Sequence, residues 1–116
     1  MFLKLLARQA TSSNMTDSTT LMDAMDEAAI EAAGILKVLS NPQRLRLLCA
    51  LLDEERSVGE LEQALGASQS YVSGQLARLR SEGLVEAERD GRVIRYRLSD
   101  PRVIPILESL YKVFCP

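Results

Sequence analysis

Between Ser57 and Leu98 the hydrophobic period of the chain changes from helical to strand-like, and that change narrows the fold more than any other feature. Ser57 with Glu60 three residues on has the spacing of a capping box, in which each side chain satisfies the other residue's free amide. Val58, Leu61 and Leu65 then form an inward stripe that ends at Gly66. Ser68 caps a second helix with Val72, Leu76 and Leu79 inward, and Gly83 closes it. Two short helices joined by a tight glycine turn predict a helix-turn-helix. Directly after it, "LVEAERDGRVIRYRL" alternates with a period of two residues, placing Ile94, Tyr96 and Leu98 on one face and Val93, Arg95 and Arg97 on the other. Asp90-Gly91 between the halves tolerates the positive φ of a type I′ turn, so the segment reads as a β-hairpin, or wing.

Helices flank this module. From Thr20 to Leu39 the residues Leu21, Met25, Ala28, Ala29, Ala32, Ile35, Leu36 and Leu39 recur at helical steps. Asn41-Pro42 then starts a helix through "QRLRLLCALLDEE", because asparagine caps free amides and proline at the first position forfeits no needed donor. The same device at Asp100-Pro101 starts a last helix, Pro101 to Phe114, with Ile104, Leu107, Leu110, Tyr111 and Phe114 as its apolar side. The fold class expected is mainly α with a small β-hairpin wing: a winged helix-turn-helix with an additional helix at each end. The end helices carry more apolar surface than the central module covers, which predicts a homodimer formed through the N- and C-terminal helices.

At 116 residues the chain is expected to hold one domain, residues 19–116, for DNA binding and dimerisation, behind a flexible arm at residues 1–18. Met15 is a candidate alternative start. "MFLKLLARQA" is broken by Lys4 and Arg8, is too short for a membrane span and lacks the layout of a signal peptide. With two cysteines and no secretory signal, a cytoplasmic protein with no membrane partner is expected.

The formal net charge of -2 hides an asymmetry. From Ser68 to Leu98, Arg78, Arg80, Arg89, Arg92, Arg95 and Arg97 outnumber Glu82, Glu86, Glu88 and Asp90, so this stretch is able to meet phosphate. Gln69, Ser70, Ser73 and Gln75, with Ser68 and Arg78 beside them, suit contacts in a DNA major groove; Arg92 at the wing tip and Arg95 on its outer face suit the backbone. Against this stand a plain solvated surface and Glu86 and Glu88, which are able to neutralise the wing arginines. Gly74 is out of place in a helix interior, at a cost of ~1 kcal/mol relative to alanine. With no histidine base, glycine-rich phosphate loop or nucleophile with a partner, no enzyme is expected. Cys49, inside "LRLLCALL", reads as a small core hydrophobe, whereas Cys115, next to the last residue, is harder to explain by packing.

"VLSNPQRLRLLCALL", "SVGELEQALGASQSYVSGQLARLRSEGLV" and "RDGRVIRYRLSD" agree in order and spacing with the ArsR/SmtB family of winged-helix repressors, which the chain resembles over residues 20–116. The resemblance implies a dimer built on its first and last helices, bound to palindromic double-stranded operator DNA and released by an inducer. Many members sense metals through C-V-C-D-L; here "SVGEL" puts Ser57 and Gly59 where those thiolates would be. No histidine is present and two thiols are too few for a tetrahedral zinc site, so neither a metal nor a cofactor is expected. Gln75 replaces the family's common histidine. The positions of Cys49 and Cys115 are similar to those of the sulfide-responsive repressors of the BigR and SqrR type. That similarity implies redox sensing by the pair: a sulfane-sulfur inducer, persulfide or polysulfide, links the two thiols within one subunit through a polysulfide bridge, and DNA is released. Two alternatives stand beside it: an oxidant sensor of the same fold using a plain disulfide, and a winged-helix protein-interaction module.

Overall fold

The structure is a computed structural model and describes residues 18–116. The expected arm over residues 1–18, apart from Ser18, and the candidate start at Met15 lie outside the described residues. The chain separates into two compact units with the boundary between Val38 and Leu39. The first contributes helix α1, Ser18–Leu39, except for its last residue, and that helix begins two residues before the expected start at Thr20. Its Met22, Ile30 and Leu36 are exposed; Leu36 therefore does not belong to the inward stripe read for it.

The second unit holds α2 (Pro42–Ala50), β1 (Arg56–Ser57), α3 (Val58–Leu65), α4 (Gln69–Ser81), β2 (Val85–Asp90), β3 (Val93–Leu98) and α5 (Val103–Phe114). Its boundaries follow local chemistry. Asn41 Oδ1 accepts from the amides of Gln43 and Arg44 at 2.9 and 3.1 Å and opens α2. Ser57 and Glu60 close the expected capping box on α3, and Gly66 ends that helix at φ 63°. The Ser68 hydroxyl accepts from the Tyr71 amide at 3.2 Å. Gly83, at φ 77°, turns the chain out of α4 while the Leu84 amide returns to the Leu79 carbonyl.

Three boundaries differ from the sequence reading. Helix α2 stops at Ala50 rather than running through "LLDEE", because the Ala50 carbonyl accepts from Arg56 Nε at 2.6 Å. In a continued helix that carbonyl would accept from Glu54. At the other end, Asp100 Oδ1 accepts from the Arg102 amide at 2.9 Å and caps a turn, so α5 begins at Val103 and not at Pro101. In the wing, Asp90 pairs with Val93 and continues the ladder, so the loop consists of Gly91, at φ 66°, and Arg92.

The sheet is antiparallel in the order β1-β3-β2, with Arg56 opposite Tyr96 and Ser57 opposite Arg95. Strand β1 was not foreseen. The core gathers Leu47 and Leu48 of α2, Leu61 of α3, Val72, Leu76 and Leu79 of α4, and Val103 and Leu107 of α5, all at 0% exposure. Each such side chain contributes about 1.5–3 kcal/mol by leaving water. Of the stripe expected on α5 only Leu107 is fully buried: Ile104, Tyr111 and Phe114 are exposed, and Val103, outside that stripe, takes a core place. The helix-turn-helix α3–α4 followed by the β2–β3 wing stands as expected.

Candidate nucleic-acid interface and dithiol site

Helix α4 presents its polar residues because its apolar ones are fixed inward. Ser68, Gln69, Ser70 and Arg78 are exposed, and Ser73 is half-buried. Gln69 Nε2 donates to Ser73 Oγ at 3.0 Å, which steadies two of these side chains on one surface. Arg78 lies near Glu82, with Nε and Oε1 3.9 Å apart. Gln75 is placed differently: its Oε1 is buried and, among the described residues, has no hydrogen-bond partner. An addition at Gly74 would meet nothing within 4 Å, so no neighbour in the chain requires glycine there.

The wing divides its arginines into two groups. Arg95 Nη1 donates to Glu60 Oε1 at 3.1 Å and its Nε lies 3.7 Å from Asp90. Arg97 Nε donates to Glu86 at 2.7 Å, while its Nη1 meets Glu88 and stands 3.7 Å from Glu55. Glu88 and Glu86 hold the Arg97 guanidinium above the usual arginine range, the hydrogen bond to Glu88 contributing most. Arg89 and Arg92, by contrast, are exposed and carry no ion pair among the described residues. Arg89 was counted in the basic stretch but not singled out as a contact residue: it shares no face with Arg95, but its place two residues before the Gly91–Arg92 loop was a signal.

Cys49 is half-buried near the end of α2, and Cys115 is exposed immediately after α5. Both thiols are free. Burial pushes the Cys49 thiol up from its ordinary value, and the negative charge of Cys115 opposes its ionisation further. Among the described residues no group of three or more histidine, cysteine or carboxylate side chains is arranged to hold a metal ion. Among them, too, no helix is long and apolar enough to cross a membrane.

A glycine-turned helix pair with an adjoining antiparallel wing defines a winged helix-turn-helix protein. The family model described as bacterial regulatory protein, arsR family, matches residues 41–87. The chain is 45% identical over 91 residues to the biofilm growth-associated repressor of Xylella fastidiosa, covering 78% of this chain and 80% of that one. It is similar to the crystal structure of the transcriptional repressor BigR from Xylella fastidiosa, with TM-score 0.75, 43% identity and coverage of 82% and 97% of the two chains. It is also similar to the homodimeric winged helix-turn-helix DNA-binding domain of a Mycobacterium bovis protein, with TM-score 0.66, 32% identity and coverage of 78% and 84%. The chain belongs to the bacterial arsR family of regulatory proteins.

Proposed function

We propose that the protein is a homodimeric, DNA-binding transcriptional repressor whose grip on operator DNA is released when reactive sulfur joins Cys49 to Cys115. What supports this reading is that Cys49 stands near the end of α2 and Cys115 just after α5, both as free thiols, with the charge of Cys115 opposing ionisation of Cys49. A second copy would cover the exposed apolar residues of α1 and α5, Ile30, Tyr111, Val113 and Phe114 among them. Residues 19–116 would then serve as the DNA-binding and dimerisation domain.

Helix α4 enters the major groove with Gln69, Ser70 and Ser73 toward the bases, Ser68 and Arg78 toward the backbone, and the wing adding Arg92. Arg95 reaches phosphate only by leaving Glu60 and Asp90, so it serves first to hold the wing. Gln75 is half-buried, with its Oε1 unpartnered among the described residues, and it stays with the groove residues expected from the sequence.

The sulfur chemistry balances without a further oxidant. Exposed Cys115, as thiolate, attacks the sulfane sulfur of a persulfide RSSH, becomes a persulfide itself and releases the thiol RSH. Cys49 accepts sulfur in the same way. One protein persulfide anion then attacks the inner sulfur of the other; hydrosulfide leaves and a trisulfide closes. A further sulfur transfer before closure lengthens the bridge by one atom.

Cys49→Ser should bind DNA as the native chain does and fail to release it after treatment with glutathione persulfide. Intact mass should show added sulfur in the native chain. Release by the variant would end the sensor assignment, and a loss of two hydrogens with no added sulfur would identify a plain disulfide.

A further inference from the structure

We infer that Arg56 is the positioning residue through which a change at the Cys49 helix reaches the wing, because its side chain holds the end of α2 while its backbone belongs to the sheet. Arg56 Nε donates to the carbonyl of Ala50 at 2.6 Å. Ala50 follows Cys49 directly and is the last residue of α2. The carbonyls at a helix C-terminus carry partial negative charge, and a guanidinium there makes a charge-assisted bond, roughly twice as strong as a neutral one. The Nη atoms of the guanidinium are held in turn by Glu54, 3.3 Å away, and by Asp53 at 3.9 Å.

The backbone of the same residue pairs with Tyr96 of β3, and its neighbour Ser57 pairs with Arg95. Arg95 in turn donates to Glu60, whose Oε1 also accepts from the Ser57 amide at 2.9 Å at the start of α3. Residues 56–57 thus join three parts: the Cys49 helix by a side chain, the wing by a strand, and the helix-turn-helix by a cap. Only two residue pairs hold β1 to β3. Such a short ladder, with a partly covered hydrogen bond at one end, is the part of the sheet that opens at least cost. Helix α2 is rigid over a single turn, so displacement of Cys49 toward Cys115 carries the Ala50 carbonyl with it. Arg56 either follows and drags β1 along β3, or gives up its bond; the first course turns the wing relative to α4. The inference rests on the dithiol reading above.

The test uses the full chain and a DNA duplex selected from a random-sequence library by the reduced native protein, with glutathione persulfide as sulfur donor. Arg56→Met removes the donor and keeps the apolar stem. It should form the bridge as the native chain does by intact mass and bind the duplex within about twofold in the reduced state. Its loss of affinity on bridging should shrink below about twofold, against at least about 5-fold for the native chain. Arg56→Lys, which keeps a cation near Ala50, should recover part of that loss. In the native chain, bridging should also speed amide exchange at residues 56–57 and 95–96, a readout that needs no variant. Bridged Arg56→Met that releases DNA as fully as the native chain, or unchanged exchange at those amides, overturns the role of Arg56 while leaving the sensor intact. A native chain that forms no bridge, or bridges without releasing DNA, overturns the dithiol reading and this inference with it.

Discussion

Arg95 Nη1 lies 3.1 Å from Glu60 Oε1, joining the middle strand of the sheet to the first turn of the helix-turn-helix. The same oxygen accepts from the Ser57 amide, so one carboxylate closes a helix cap and anchors the wing. Both side chains are partly solvated, and as an isolated ion pair they would contribute little. Their effect is geometric: the orientation of the wing is set by the residue that starts α3.

That arrangement has an acid limit. The Ser57 amide and hydroxyl, and then Arg95, hold the Glu60 carboxyl below its ordinary value of 4.5. Arg102 likewise holds Asp100 below 3.8. A depressed folded-state pKa gives stability that is complete above the unfolded value and is lost as pH falls through the folded one. Thermal stability should therefore be flat from neutrality to about pH 5 and decline below it, more gently in Glu60→Ala, whose stability at neutral pH is already lower. Melting curves across this range check the prediction, and an equal acid decline in the variant would refute it.

The pairing of the wing arginines predicts which of them answer to salt. Arg89 and Arg92 carry no ion pair among the described residues, whereas Arg97 is held by Glu86 and Glu88. A phosphate contact releases counterions, so its loss lowers the slope of log affinity against log salt by about 0.9. Arg92→Ala and Arg89→Ala should each reduce that slope, and Arg97→Ala should leave it nearly unchanged. Binding titrations at several salt concentrations, with an Arg97→Ala slope falling as far as that of Arg92→Ala, would reverse the assignment.

Gly74 allows a separation of folding from DNA contact. It is exposed in α4, its φ is not positive, and open space surrounds the position of a Cβ. Gly74→Ala should therefore stabilise the free protein by about 1 kcal/mol in denaturant unfolding. If glycine serves the groove, the same variant binds DNA more weakly despite its greater stability. Unchanged affinity would mean that no base or phosphate approaches this backbone.

Features legible in the sequence were those whose partners lie within a few residues. The caps at Asn41, Ser57 and Ser68 and the helix end at Gly66 depend on neighbours, and they stand in the structure as read; the wing hairpin stands too, but not the packed face read for it, since Ile94 at the tip end of β3 is exposed and burial along that strand does not alternate. Strand β1 escaped notice because two residues carry no period, and its partner Tyr96 is distant in sequence. The early stop of α2 escaped for the same reason, since Arg56 supplies it from beyond the helix. Arg95 looked free because alternation gives the face of a residue but not what lies across from it. The thiol pair was the least legible, because spacing says nothing of whether Cys49 near the end of α2 and Cys115 after α5 come near each other.

The neighbourhood of the two thiols can be measured by titration. Burial raises the Cys49 pKa first, and the charge of Cys115 raises it further. Alkylation of Cys49 by iodoacetamide should therefore continue to accelerate past pH 9.0, the ordinary thiol value, since only the thiolate reacts. Cys115→Ser removes the second cause and leaves the first, so the midpoint for Cys49 should move down yet stay above 9.0. The sign carries over to stability: a raised folded-state pKa gives stability that is full below 9.0 and is lost as pH rises through the folded value. Alkaline melting should accordingly be blunted in Cys49→Ala. A Cys49 midpoint indifferent to Cys115→Ser would place the two sulfur atoms out of each other's reach, and a bridge between them would then require a rearrangement of α2 against α5.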